Sequence, residues 1–323
     1  MRPRCWLVAV ALLVVVSAAL CSGTLARPGD GPRDGTSRFT WVAVADHLDR
    51  PAEGLVARMA KVKPAFVVDI GDVVFESKLD EFATVSRLIL EPLSQAGARF
   101  YPVVGNHDFP VRPHWFEFWE PPANRLHYSF DYGNSHFVVL DTNKVVAPDN
   151  RTFAPDTEDY AIQKQAESFG PGSAQYQWVR KDLATTKKTH IFVFFHIPAF
   201  SYGGHESNLE IQRALCPLFE KHKVTAVFMG HSHGYERFVP FHVDLSSGNP
   251  VAVPDEKNGV VYIVTAGGGM PLYDITPDQT HAAIAKAFHF VRVDVHGDTA
   301  SCSVIEAKTG RVLDSFGLKS RRR

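Results

Sequence analysis

The sequence predicts an α/β (α+β) protein: a four-layer sandwich of two mixed β-sheets flanked by helices, with a ligand site at the C-terminal edge of the strands. Three observations lead there. Short apolar, β-rich runs alternate with segments of helical period. Strands backed by helices recur in both halves of the chain. The last third then turns mainly to strands.

Phe39 to Ala45 is apolar and β-branched enough for a buried strand. Glu53 to Lys63 has helical periodicity, Pro64 ends it, and Ala65 to Ile70 is the next buried run. A helix over about Asp80 to Gln95 precedes a strand at Phe100 to Val104. His127 to Tyr132 alternates, Gly133-Asn134 signals a hairpin turn, and Ser135 to Leu140 returns. Asn143 to Gly172 is polar and rich in Asp, Glu, Pro and Gly, too long for a simple connection, and reads as a surface insertion or lid. Gln175 to Lys187 is a helix, Ile191 to Phe195 a strand, Asn208 to His222 a helix and Thr225 to Met229 a strand. Val260 to Thr265, Phe288 to Val295 and Cys302 to Ala307 complete the β-rich end.

The chain has 323 residues, of which 45% are hydrophobic and 21% charged, as in a soluble globular protein. A net charge of -1 gives no broad basic face, so no nucleic-acid partner is expected. Residues 1–26 read as a signal peptide: Arg2 and Arg4 precede the apolar stretch Trp6 to Leu20, and small residues follow. Export or secretion is the expectation, with no stable membrane partner after cleavage. An N-terminal membrane anchor is the alternative, though the stretch falls short of the ~20 residues that span a bilayer. Residues 27–38 read as a disordered linker, 39–318 as one folded domain, and 319–323 as a frayed basic tail. Cys216 and Cys302 remain after cleavage; export permits a disulfide, but two buried thiols are the simpler reading. Asn150-Arg151-Thr152 is a glycosylation sequon.

Five of the apolar runs end in metal-ligand residue types: Asp46-His47, Gly71-Asp72, Gly105-Asn106-His107-Asp108, His196, and Gly230-His231-Ser232-His233. Strand carboxyl ends converge on one sheet edge in a layered fold, so these tips can meet. The set mixes oxygen with imidazole and has no thiolate, which suits Mn, Fe or Zn. Two divalent ions about 3.5–4 Å apart can clamp a phosphoryl group and generate a hydroxide near neutral pH. Asp72 is the candidate bridging carboxylate, and Asn106, His196, His231 and His233 supply neutral donors. His107 sits beside a ligand Asn, and Asp108 next to it would stabilise its imidazolium for acid catalysis. The plain alternative is that Asn106-His107-Asp108 is a polar turn.

With these blocks in this order, the chain resembles the calcineurin-like metallophosphoesterases, and within them the branch containing purple acid phosphatases. Gly105-Asn106-His107-Asp108 and Gly230 to Arg237 carry the likeness, joined by Tyr128 to Gly133 and Val261 to Gly269. It covers roughly residues 39 to 316. The resemblance implies a metal-dependent phosphoric ester hydrolase, with 39–318 as its catalytic domain and two divalent ions as its cofactors. Asp72 would bridge them, Asp46 and His233 would bind the first, and Asn106, His196 and His231 the second. His107 would contact phosphate, and His205 would be an acid for the leaving alcohol; a solvated loop histidine is the alternative there. Phosphomonoesters are the default substrate by this likeness, small-molecule or protein-borne, with diesters and nucleotides left open. Arg237 reads as a structural ion-pair partner. Trp115, Phe116, Phe118 and Trp119 either wall the pocket or simply pack.

Two departures from the family's pattern concern the first ion. Relatives carry Asp-x-His at the first block, whereas Leu48 follows Asp46-His47 here. Neighbouring side chains on a strand face opposite ways, so His47 is not expected to substitute. The purple enzymes place a Tyr where this chain has Phe75. The first site is therefore short of one protein ligand, and no purple colour is expected. A degraded relative acting as an extracellular metal-binding module is the alternative function.

Overall fold

The computed structural model describes residues 36–109, 112–121, 125–144 and 166–322. The leader, the Asn150 sequon and most of the polar insertion lie outside them. The strands are β1 (Arg38–Val44), β2 (Phe66–Asp69), β3 (Arg99–Pro102), β4 (Tyr128–Tyr132), β5 (Ser135–Val139), β6 (His190–Phe195), β7 (Ala226–Met229), β8 (Tyr235–Phe238), β9 (Phe241–Asp244), β10 (Val251–Pro254), β11 (Val261–Thr265), β12 (His281–Ala285), β13 (His289–His296), β14 (Thr299–Glu306) and β15 (Val312–Lys319). The helices are α1 (Leu55–Val62), α2 (Leu79–Val85), α3 (Glu91–Gln95), α4 (Arg112–Trp119), α5 (Ala174–Thr185), α6 (Leu209–Ala214) and α7 (Cys216–Lys221). Among the described residues no helix is long and apolar enough to cross a membrane.

The two large sheets are mixed, and β9 pairs antiparallel with β10 in a separate two-stranded sheet. The first runs β15-β14-β13-β1-β2-β3, and the second β12-β8-β11-β7-β6-β5-β4. In the first, β1, β2 and β3 are parallel and β13 joins β1 antiparallel. In the second, β5, β6, β7 and β11 are parallel, with antiparallel strands at both edges.

Alternation along each strand builds the layers. On β1, Trp41 and Ala43 face the other sheet, while Val42 and Val44 face helices α1 to α3. Trp41 is fully buried and meets Phe137 of the second sheet edge-on, 5.7 Å between ring centroids at 89°. Phe192, Phe194 and Phe228 surround the same indole. Removing it would cost about 3–5 kcal/mol, because an aromatic cavity between two sheets cannot readily collapse. On the outer face of the second sheet, Val138, Val193 and Val227 pack against Val179, Leu183, Ile211 and Leu215. The four-layer sandwich is the one the sequence predicts.

Several details depart from that prediction. The helix expected over Asp80 to Gln95 widens to a π turn at Ser86–Leu90. Pro92, which has no N–H to give the preceding turn, follows in α3. Asn208 to His222 is two helices, because Pro217 occupies the first turn of α7. Trp115 and Trp119 are buried with Phe100, Val104 and Phe109 under the first sheet, so they pack and do not wall a pocket. Cys216 and Cys302 are buried free thiols.

Through Arg322 the basic end is held against the fold rather than frayed. Arg322 donates to the carbonyls of Thr186 (2.6 Å) and His222 (3.4 Å), the residues that close α5 and α7. Arg321 reaches the carbonyls of Val224 and Asn258. Cations at helix C-termini satisfy carbonyls that have no partner within the helix and oppose the negative end of the dipole.

Candidate metal centre

The first sheet brings oxygen ligands. Asp46 follows β1, Asp72 follows β2 and Asn106 follows β3. Asp46 and Asp72 sit in the left-handed backbone region, φ 62 and 53, as does His231 at 68. Asp, Asn and His are the side-chain-bearing residues that adopt this conformation most readily. Asp108 ties two of these tips together. Its carboxylate accepts from the N–H groups of Gly105 (2.7 Å), Asp72 (3.0 Å), Val73 (3.0 Å) and Val74 (3.3 Å). The approach is so close that a Cβ at Gly105 would lie 2.2 Å from the Asp72 amide nitrogen. Only glycine fits there.

The second sheet brings imidazoles. His196 follows β6, and its Nδ1 donates to the Ile70 carbonyl at 2.7 Å. A carbonyl can only accept, so Nδ1 carries a proton and Nε2 is the nitrogen left to face a metal. That Nε2 lies 3.2 Å from Asn106 Oδ1 and 3.3 Å from Asp72 Oδ1. His233 repeats the arrangement: Nδ1 donates to the Pro271 carbonyl at 3.0 Å, and Nε2 is 3.5 Å from Asp46 Oδ1. The His231 N–H donates to both Asp46 oxygens, at 3.0 and 3.2 Å. Donor atoms of Asp72, His196 and His231 all lie within 4.8 Å of one another. A carbonyl behind each of two imidazoles, with the other ring nitrogen facing carboxylates, is the outer-shell pattern of a metal site. The donor set of Asp72, His196 and His231 therefore fits a divalent ion, and the six side chains singled out in the sequence lie together.

The charges agree. Burial works against ionisation of Asp72, but His196, and then His107 and His231, outweigh it and hold the carboxyl far below its usual range. Burial likewise opposes charge on His196, yet Asp72 and Asp46 push it up to about 10. Burial and the neighbouring His196 and His205 keep His231 neutral, the form that binds metal. Burial and the adjacent Asp72 push Asp108 up to about 7.

His107 is placed by its own N–H, which donates to Asp72 Oδ1 at 2.9 Å. Its ring Nδ1 donates to the Phe75 carbonyl at 2.9 Å, and the Phe75 ring stacks on it at 5.1 Å. The Asp108 carboxylate, expected to face this ring, is turned to four backbone N–H groups. His205 is not a solvated loop residue. Its ring stacks on His231 at 3.8 Å and 26°. Burial and His233 lower its pKa, so it takes a proton only in acid.

His47 turns away from the site, fully buried, with Nε2 2.9 Å from Asp69 Oδ2. Phe75 is 42% exposed and offers no oxygen. Arg237 forms a two-pronged pair with Asp314, at 2.7 and 3.2 Å, joining β8 of one sheet to β15 of the other. It is structural, as the sequence suggested.

The sequence gives no hint of Tyr273, which stacks on His233 at 4.5 Å and 8°. It lies in a Pro- and Asp-containing loop just past Val261 to Gly269, with no periodicity to mark it.

Residues 42–235 match the family model of the calcineurin-like phosphoesterases. The chain belongs to that family. This phosphoesterase is 24% identical over 285 residues to tartrate-resistant acid phosphatase type 5 of Mus musculus, covering 81% of this chain and 80% of the mouse protein. It is 33% identical over 134 residues to an acid phosphatase of Aspergillus ficuum, covering 35% of this chain and 22% of that one. The fold is shared with the purple acid phosphatase PPD1 from yellow lupin seeds, at TM-score 0.67 and 18% identity, over 90% of this chain and 55% of the lupin chain. The phosphoesterase domain is that of a metal-dependent phosphoric ester hydrolase, with acid phosphatases among its relatives.

Proposed function

We propose that this phosphoesterase is an exported phosphatase that hydrolyses phosphomonoesters with two divalent ions. The observation that carries the reading is the meeting of six candidate ligand side chains from both sheets, with Nε2 of His196 and His233 turned towards Asp72 and Asp46. Asp72 would be shared between the ions. Asp46 and His233 complete the first set, and Asn106, His196 and His231 the second. Ions so held would lower the pKa of a bound water and offset the negative charge of the phosphoryl oxygens. Mn, Fe and Zn suit the donors. His107 lies beside Asp72 to contact the phosphate. His205, over His231, is placed to hand a proton to the leaving oxygen, and its lowered pKa favours an acidic working range. Export is supported by the leader pattern of Arg2, Arg4 and Trp6 to Leu20.

A binding module with a degraded first site is the second reading. It is favoured by one observation: His47 is paired with Asp69 inside the fold, and Phe75 brings no ligand atom. Metal content per chain and turnover separate the two. Two ions per chain, hydrolysis of an aryl phosphomonoester faster than its diester, and loss of both on chelation are the expected results. No turnover with Mn, Zn, Fe or Co on either ester would overturn the phosphatase reading.

A further inference from the structure

We infer that Tyr273 is a positioning residue for the leaving-group step, acting through His205; this rests on the phosphatase reading above. Tyr273 is fixed at both its backbone and its ring. Its N–H donates to the His233 carbonyl at 2.8 Å, and its ring lies parallel to the His233 imidazole. The other side of the phenol meets His205: the rings are 5.4 Å apart at 76°, and Tyr273 Oη is 3.5 Å from His205 Nε2. The loop carrying His205 is shaped to this ring. A Cβ at Gly204 would lie 2.3 Å from Tyr273 Cδ2, so the backbone passes directly against the phenol, which a larger residue would prevent. The base of the loop is held independently by buried Glu236, which accepts from Ser201 Oγ (2.8 Å) and the Tyr202 N–H (2.8 Å) and faces His281 Nε2 at 3.0 Å.

Two contacts therefore set the His205 ring. The stack on His231 fixes its plane, and the phenol fixes its rotation within that plane. A 3.5 Å separation is the outer limit of a hydrogen bond, and such contacts shorten when substrate closes a site. With Nε2 facing Tyr273, the nitrogen left for the leaving oxygen is Nδ1. In the acid form, the Nδ1–H bond breaks as an O–H bond forms on the departing alkoxide. The ring becomes neutral and keeps its Nε2 proton on the phenol oxygen, and Tyr273 itself neither gains nor loses a proton.

The test compares Tyr273→Phe, His205→Ala and the double variant in the metal-loaded full chain, on an alkyl phosphate and on p-nitrophenyl phosphate. Tyr273→Phe keeps the stack and removes one hydroxyl. It should lower kcat on the alkyl ester about fivefold, the size of one hydrogen bond. The loss should be smaller on the nitrophenyl ester, whose leaving group needs little protonation, with KM and metal content held. In the His205→Ala background the same change should cost nothing further. The nitrogen-15 imidazole resonances of His205 should shift in Tyr273→Phe. Equal losses on both esters, an undiminished loss without His205, or unmoved resonances would each overturn the assignment. A parent protein without turnover counts against the phosphatase reading, and the His205 resonances alone then decide the positioning claim.

Discussion

Two groups of histidine and carboxylate lie at opposite edges of the second sheet. At the N-terminal edge, His136 gives Nδ1 to Asp131 at 2.7 Å and Nε2 to Asp182 at 2.8 Å. At the C-terminal edge, one six-residue strand away along β6, His196 gives Nδ1 to a carbonyl and leaves Nε2 facing Asp72 and Asn106. The residue types are the same. The difference lies in the second nitrogen. Where a carboxylate takes each ring N–H, the imidazole is a charged staple between β4, β5 and α5. Where a neutral carbonyl takes one, the other nitrogen faces ligand-type oxygens and can give up its proton to a cation. Composition alone does not separate these groups, and the identity of each hydrogen-bond partner does.

The strongest attempt to break this distinction is to remove a ligand. His196→Ala or Asp72→Asn should lower turnover about 100-fold or more and reduce bound metal. His136→Phe should leave metal content as it was. Full metal loading in His196→Ala, measured by elemental analysis, would erase the difference between the two edges.

Acidity should act on the two groups in opposite senses. His196 carries a proton below about 10 when no ion is present, so metal must displace it. Apparent metal affinity should weaken by about tenfold for each pH unit of acidification where one proton is released. At the staple, burial disfavours charge on His136, but Asp131 and Asp182 outweigh it and raise its pKa from 6.5 to about 9. A raised folded-state value means the contribution is complete below 6.5 and is lost as pH rises through about 9. Denaturant midpoints should fall across that window in the parent and stay level in His136→Phe.

His47 offers a sharper contrast within the first sheet, since it lies next to Asp46 yet pairs with Asp69. His47→Ala should cost about 3 kcal/mol of stability by leaving a buried carboxylate unpaired, while bound metal per chain is unchanged. A loss of metal without loss of stability would return His47 to the site. The smallest effect belongs to Phe75→Ala. Its ring buttresses His107 at 5.1 Å. An aromatic stack of this kind is worth about 1 kcal/mol, which corresponds to roughly a fivefold fall in turnover. Unaltered kinetics would show that the His107–Phe75 carbonyl bond suffices.

Much of this centre could be read from the chain because its candidate ligands are local in pattern. Gly71-Asp72, Gly105-Asn106 and Gly230-His231 each end an apolar run, and strand-end convergence brings them together. The supporting contacts could not be read. The carbonyls of Ile70 and Pro271 that orient His196 and His233 have no side-chain signature. Asp108 looked like a partner for the neighbouring His107, but four N–H groups from two loops compete for it. Tyr273 reaches His205 only once the loops have docked. In the fold, the buried apolar strands stood out, four-residue ones such as β2, β3 and β7 included, whereas the largely unburied β10, β12 and β15 present no buried apolar run. The carbonyls that fix Arg322 belong to Thr186 and His222, far away in sequence, so nothing around residue 322 foretold them.

The left-handed backbone at Asp46, Asp72 and His231 has an implication for divergent copies of this domain. A copy that had stopped turning over substrate would still favour Gly, Asn or Asp at 46 and 72 by conformation alone, since β-branched replacements there would strain the loop. Retention of those acids is thus a poor marker of a living enzyme. His196 ends an ordinary strand with no such restraint, and its loss or survival is the more informative sign.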